Sequence, residues 1–592
     1  AADRVAHAVL AMRGSGEEPV ALLLEKDAPL MAAIMGVLKA GKICVMLDPS
    51  FPAARMSAIL DDLQAGLMLT NNRHHSLTHE FIQDACHVLN IDTLAPHASM
   101  QNPELSISPD ALYSIMYTSG SSGVPKGVVH THRNLLHKVM LYTNCFHIAG
   151  NDRLTLLGSP STGQGITDMF CALLNGASLY PLNIREEGLA SLAGWLAQEE
   201  ITLYHSSATV FRYFVATLTG AEAFPHLRLI KLGSEPVSKK DVELYKKHFP
   251  PTCLFVNGLS STETGFIRYY LIDQATPVHK SIVPVGYAVE DMGIVLLDED
   301  GRPVGDEDMG EITVKSPYLA LGYWRRPELT QEAFSPDPDD ARRRIYRTGD
   351  LGRMQPDGCL EHLGRKDFQV KIRGHRIEVA EIELALLEHA GIKEAVVLAR
   401  GEGPDDLRLV AYMVAAEAWP PTHSEVRRFL HGRLPDYMLP SAFMWVDALP
   451  RTAAGKVDRR ALPAPGRARP RLATPMAAPR TSIEASLARM WAEVLGLEEI
   501  GIEDDFLELG GHSLSATQIV SRVWKTFQVE LALRELLEAS TVADMAVVIT
   551  QRLASEGELD DIAGLLAQVE ALSDAQAQQL LIEELEPRDR RE

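Results

Sequence analysis

The chain has 592 residues, 46% of them hydrophobic and 23% charged, with a formal net charge of −22. That length suggests about three to five folding units of ordinary globular composition. The acidic balance excludes nucleic-acid binding as the main activity, because phosphates would be approached against the protein's own field, although a few placed cations can still hold an anion. No run of about 18 apolar residues and no signal peptide is present. The six cysteines form no CxxC pair and no zinc spacing, which reads as free buried thiols in a reducing, cytoplasmic setting.

The chain opens inside a helical pattern, DRVAHAVLAM, and so reads as a piece lacking the true start of its first domain. Residues 1–366 alternate helical segments with short apolar runs: KICVML, ALYSIMYTSG, LRLIKLG and TCLFVNG. Each run ends in small or hydroxyl residues, the pattern of strands in an α/β fold with ligand loops at their carboxyl ends. Residues 367–462 read as a small α+β subdomain, with a helix at VAEIELALLEHA and strands at EAVVLA and LVAYMVA. A Pro/Arg/Ala-rich linker covers 463–480. Residues 481–553 read as a helical bundle, opened by the capping-box spacing of Thr481 and Glu484. A second helix is expected from Leu514, with Ile519, Val520 and Val523 on one face. Residues 554–592 form an acidic, amphipathic tail, read as a helix or linker.

Chemistry is densest at YTSGSSGVPKG (117–127), where an apolar strand runs into three glycines, four hydroxyls and Lys126. Glycines let successive N–H groups turn toward an anion, and hydroxyls add donors. By itself the loop says only that a phosphate is bound. It resembles the phosphate loop of the adenylate-forming superfamily, which contains acyl-CoA ligases, luciferases and the adenylation domains of nonribosomal peptide synthetases. LKAGKICVMLDPSFPAARM (38–56), NGLSSTETG (257–265), YRTGDLG (346–352), GRKDFQVKIRGHRIE (364–378) and PRTAAGKVDRR (450–460) resemble further motifs in the same order. The resemblance implies ATP contacts from Thr118, Ser119, Gly120, Ser121, Ser122 and Lys126. Asn257 would meet adenine, Thr262 the phosphates, and Asp350, at a turn, the ribose together with Arg365. Glu263 would ligate Mg²⁺. Lys456 would be the catalytic lysine, touching both the attacking carboxylate and the α-phosphate. Asp367 matches the hinge between large and small subdomains, and Gly374 the face that lines the thiol tunnel.

DDFLELGGHSLSATQIV (504–520) resembles the attachment site of a four-helix carrier domain, which implies 4′-phosphopantetheine on Ser513. Read alone, Ser513 could equally be a helix N-cap. Adenylation followed by a carrier is the order of a synthetase module. It implies a phosphopantetheinyl transferase and neighbouring modules as partners, with a small helper protein as a further candidate.

One departure bears on the substrate. Where the family usually has an aspartate for the ammonium of an α-amino acid, TGQGITDMF has Gly163. Glycine cannot neutralise an ammonium, and an unpaired charge in a closed pocket is costly. The expected acid therefore lacks an ordinary α-amino group: an α-keto or α-hydroxy acid, another non-amino acid, or a betaine-like acid held by cation–π contact. The remaining carried-over pocket positions are Gln164, Thr167, Thr209, Ile230, Leu232, Gly258, Phe266 and Ile267, a lining with no acid and no base except Lys456. Asp168 reads as structural, and Leu259–Ser260 in place of Tyr-Gly implies aliphatic stacking on adenine. An atypically bound amino acid, a CoA-releasing ligase and a scaffold-only carrier stay open as alternatives.

Overall fold

Consecutive apolar residues in Pro19–Leu23 (β1) and Ile43–Leu47 (β2) leave no polar face, so both strands pair in parallel inside a sheet covered on both sides. With Leu67–Thr70 (β3), His87–Asn90 (β4), Leu112–Thr118 (β5) and Lys126–Thr131 (β6) they form a sheet of order β6-β5-β2-β1-β3-β4, edged by Gly322–Tyr323. A second sheet combines Arg153–Leu156 (β7), Ser178–Pro181 (β8), Leu203–Ser207 (β9), Leu229–Gly233 (β10), Leu254–Ser261 (β11) and Gly265–Ile272 (β12), in the order β12-β11-β10-β9-β7-β8. Each sheet is parallel except at one edge, where β5–β6 and Gly322–Tyr323 run antiparallel in the first and β11–β12 and the edge segment Tyr287–Ala288 run antiparallel in the second. One hydrophobic core unites the two sheets through the helices His132–Phe146 and Gly163–Leu174, which contribute Leu135, Val139, Ile166 and Phe170. The structure, a computed structural model, describes residues 1–554 except 83–85, 96–98, 121–123, 306, 402–406, 417–418, 452–456, 473 and 530, with Arg185, Ser513 and Leu514 described by backbone alone.

An antiparallel sheet follows, built on Met309–Ser316 and Arg344–Met354. Asp350, expected at a turn, lies inside the second of these strands, opposite Arg365 of Leu360–Arg365. The turn-like Gly-Asp pair is accommodated by a positive φ of 73° at Gly349, which kinks the strand without ending it. The hairpin Val370–Ile372 and His375–Ile377 leads into the helix Val379–Leu387. That helix and His423–His431 share a separate core with the sheet of Ile392–Arg400, Arg408–Ala415 and Ala442–Trp445.

The last unit, from Thr474 with Arg467–Arg469, is a bundle by itself. Its helices are Ser482–Leu495, Ser513–Phe527, Leu533–Glu538 and residues 542–554. Trp491 and Phe506 pack edge to face in its centre, beside the buried Ile519, Val523 and Ile549. Thr481 and Glu484 form the expected capping box. Val520 is half-buried. Asp504, fully buried, accepts hydrogen bonds from Arg469 at 2.5 and 2.7 Å and from the Gly501 N–H at 2.7 Å, which ties the entering chain to the bundle. The tail beyond 554 lies outside the described residues.

Candidate active site

Thr118 ends β5 and faces Lys126 at the start of β6, so the glycine-rich segment connects two antiparallel strands. The connection crowds Gly120: a Cβ there would lie 2.1 Å from the Val124 carbonyl oxygen. Burial pushes the Lys126 ammonium pKa down, against the pull of Glu263, and its Nζ sits 4.7 Å over the Tyr323 ring. Ser121 and Ser122 lie outside the described residues.

Glu263 and Thr262 occupy the turn between β11 and β12. Glu263 is fully buried; its carboxylate accepts from Tyr323 Oη at 3.0 Å and from Arg376 Nη1 at 2.9 Å. Desolvation would raise its pKa, but Arg376 and Lys126 hold it down at about 2. Asp350 is held well below the usual carboxylate range: burial opposes this, and Lys371, His362 and Arg365 prevail. Arg365 bonds Asp350 at 2.9 Å through one nitrogen and clasps Asp367 through two others at 2.5 and 2.7 Å. Asn257 donates to the carbonyls of Val283 and Pro284, fastening the segment after β12.

The small subdomain reaches into this site. Gly374, at φ 81°, turns its hairpin so closely on the large subdomain that a Cβ would meet Ser207 at 3.1 Å. Ser119 Oγ donates to the Arg376 carbonyl at 2.8 Å and accepts from the Glu378 N–H at 3.2 Å. Glu381 accepts from Arg55 at 2.6 Å and from the Gly120 N–H at 3.2 Å, with both charged side chains nearly inaccessible.

A cleft of about 180 Å³ runs beneath the hairpin tip. Thr118, Ser119 and Thr262 border it at one end, and Gly163, Gln164, Thr167 and Phe266 at the other. Thr209, Ile230, Leu232, Gly258, Ile267 and Asn257 are not on its wall; Thr209 instead bonds Glu235. The strand period explains part of this: β10 alternates, so Ile230 and Leu232 face the packed side and Lys231 between them faces the cleft. Leu259 is also packed away, and Ser260, past a bulge, borders the cleft in its place.

The lining is therefore not free of acids and bases. Lys231 Nζ is 2.9 Å from His205 Nε2, and His205 Nδ1 is 2.6 Å from Asp168 Oδ1. Burial lowers the His205 pKa, so the ring is neutral: Nδ1–H donates to Asp168 and Nε2 accepts from Lys231. Asp168 thus stands behind the cleft wall as a support. Burial lowers Lys231 to about 8, with Asp168 pulling the other way, and its ammonium lies 5.6 Å over Phe266. Lys138, from the helix His132–Phe146, also lines the cleft and is lowered by burial to about 8. Both lysines and His205 were missed in the sequence. The available signal was a charged or polar residue interrupting an apolar strand, as in LIKLG and LYHSS.

Lys456 lies outside the described residues; Arg451 and Val457, on either side of its loop, form a β-bridge. Ser513 is the first residue of its helix, and the N-cap position falls to His512, whose Nδ1 accepts from the Ser515 N–H. Among the described residues no cluster of three metal-ligating side chains occurs. A Mg²⁺ here would rest on Glu263, a hard oxygen ligand whose carboxylate is bonded to Tyr323 and Arg376 in this structure, and the Thr118, Ser119 and Thr262 side chains on the cleft are of a kind that suits phosphate oxygens.

A glycine-rich loop thus faces a small second subdomain, on a chain that also holds a separate helical bundle. The chain belongs to the AMP-binding enzyme family: that description matches residues 1–324, the AMP-binding enzyme C-terminal domain matches 381–456, and the phosphopantetheine attachment site matches 485–549. It is 37% identical over 556 residues to gramicidin S synthase 2 of Brevibacillus brevis, covering 92% of this chain and 12% of that one. It is 33% identical to tyrocidine synthase 1 of Brevibacillus parabrevis, covering 94% of this chain and 50% of the relative. The chain thus spans a small part of the first and half of the second. A solved structure of holo-PA1221, an NRPS protein containing adenylation and PCP domains with a vinylsulfonamide inhibitor bound, aligns with a TM-score of 0.75 and 25% identity over 92% of this chain and 90% of that one. A four-domain nonribosomal peptide synthetase bound to AMP and glycine aligns at 0.56 with 30% identity, over 93% of this chain and 40% of that one. No helix among the described residues is long and apolar enough to cross a membrane.

Proposed function

We propose that the chain activates a carboxylic acid with ATP and loads it on its own carrier, as one module of a nonribosomal peptide synthetase. The supporting observation is the convergence of Thr118, Ser119, Thr262 and the Gly374 hairpin on one cleft, in a chain whose Ser513 opens a carrier helix. In this reading the substrate carboxylate attacks the α-phosphorus of ATP, the bond to the β-phosphate breaks, and pyrophosphate leaves. Lys126 and the loop amides hold phosphate oxygens. Glu263 would hold a Mg²⁺, which when bound would supply charge neutralisation at the phosphates. Asp350 and Arg365 hold the ribose, Asn257 borders adenine, and Lys456 bridges carboxylate and α-phosphate. The small subdomain then turns about Asp367, and the phosphopantetheine thiolate on Ser513 attacks the acyl carbon beside Gly374, expelling AMP. Tethering raises the thiol's effective concentration.

The acid lacks an ordinary α-amino group. Gly163 offers no carboxylate, and the nearby charges are the ammonium groups of Lys138 and Lys231, which repel a second cation and so disfavour the betaine-like option as well. Partners in this reading are a phosphopantetheinyl transferase, adjacent modules and a small helper protein, in the cytoplasm. Pyrophosphate exchange with a panel of acids tests activation. Lys456→Ala should lower exchange about 100-fold or more, and full activity there would remove its role. Incubation with CoA and a phosphopantetheinyl transferase should add one phosphopantetheine mass, lost in Ser513→Ala. Release of a free CoA thioester would favour the ligase alternative.

A further inference from the structure

The acid end of the cleft carries more positive charge than its own groups neutralise. Lys231 is 4% exposed and Lys138 8% exposed, yet the carboxylate that acts on Lys231, Asp168, is already bonded to His205, and among the described residues no carboxylate is paired with Lys138. Lys138 makes no hydrogen bond or ion pair among the described residues. Lys231 spends one of its three N–H donors on His205 and leaves two. Both lysines border the same cleft as Gly163, Gln164 and Thr167, which belong to the helix that begins at Gly163. The N-terminus of that helix enters the cleft at Gly163 and Gln164 and adds its positive end. Buried ammonium groups without partners are costly, and desolvation of this kind is maintained where a ligand supplies the missing charge.

We propose that the activated acid is a dicarboxylate, its second carboxylate seated between Lys138 and Lys231 while the first meets ATP. This rests on the reading that the substrate lacks an α-ammonium and narrows it. Asp168 and His205 act as positioning residues: through the neutral imidazole they aim the Lys231 ammonium at the cleft. Thr167, whose hydroxyl donates to the Gly163 carbonyl at 2.6 Å, leaves the wall short at this depth and open to a small polar group.

The test is pyrophosphate exchange by the full chain with acids matched in length: succinate against butyrate, glutarate against valerate, together with α-ketoisocaproate, lactate and common α-amino acids. The expected result is a diacid preferred over its monoacid match by roughly 100-fold in kcat/KM. Lys138→Met and Lys231→Met should each reduce that preference at least about 10-fold, through KM for the diacid more than through kcat. His205→Gln should reduce it less, and without changing the monoacid rates in proportion. Exchange with keto or hydroxy monoacids and none with diacids would overturn the dicarboxylate while leaving the non-amino reading intact. Exchange with α-amino acids alone would overturn both. Because the wild-type panel decides the matter, misfolding of a lysine variant would not rescue the proposal.

Discussion

Replacing Arg55 by Met should separate the two half-reactions. Arg55 and Glu381 are 4% and 3% exposed, lie 2.6 Å apart, and join the large subdomain to the helix Val379–Leu387 of the small one. Met is close in length and keeps the aliphatic packing, so the change is chiefly one of charge. Breaking a buried pair costs about 3–5 kcal/mol. Part of that is recovered, because Glu381 keeps the Gly120 N–H and can take up a proton: burial already pushes its pKa up, and Arg55 is what opposes the rise. A net loss of about 2–3 kcal/mol specific to this subdomain orientation moves its population by roughly 30–150-fold. If this orientation, with Gly374 against Ser207, is the one that receives the thiol, single-turnover loading of Ser513 by rapid quench should slow by up to that factor. Pyrophosphate exchange should be maintained or rise. An equal fall in both assays, or no change in loading, would refute the assignment of orientation.

Three further outcomes follow from the same geometry. Gly120→Ala forces a Cβ to within 2.1 Å of a backbone oxygen, so the loop must move; KM for ATP in the exchange assay should rise at least about 10-fold. Lys138 and Lys231, both near 8, should make KM for the acid climb as pH rises through 8, by at least about tenfold for each lysine that loses its proton. Of their neighbours, His130 and His205 are already neutral by burial, while Cys171 and Tyr142 are pushed upward, so none of these titrates in that window. Over the same range the free protein should gain stability in urea titrations up to about pH 10.5, because the unfolded lysines keep protons the folded ones have lost. Asp504→Asn removes the buried charge opposite Arg469 and should destabilise the carrier by about 2–4 kcal/mol, lowering its Tm by roughly 10–20 °C in calorimetry of the excised bundle, if its separate core folds alone.

The parts of the site that were legible in the sequence are those where backbone conformation forces residue choice. The strand into Thr118, the crowded Gly120 and the capping box at Thr481 each leave a local mark. The acid pocket leaves none, because matching a family's positions does not say which way each side chain of a doubly covered strand points. In β10 both faces are covered, so Ile230, Lys231 and Leu232 look like a uniform buried run; only the charge of Lys231 betrays which side meets a cavity. Asp350 misled in the opposite direction, since a Gly-Asp pair reads as a turn until an antiparallel partner such as Arg365 claims it. The engagement of Glu263 with Arg376 was invisible, as it depends on how two subdomains dock.

The docked segment between Arg376 and Glu381 has one more effect. It occupies Ser119, Gly120 and Glu263, three of the groups proposed to meet ATP and its metal, and it does so partly with a carboxylate on a phosphate-loop amide. On the proposed reading of these residues, the segment would be a tethered competitor of the nucleotide: a measured ATP affinity would be the intrinsic one weakened by the fraction of time the segment is docked, and substitutions far from the nucleotide that loosen the docking should tighten it.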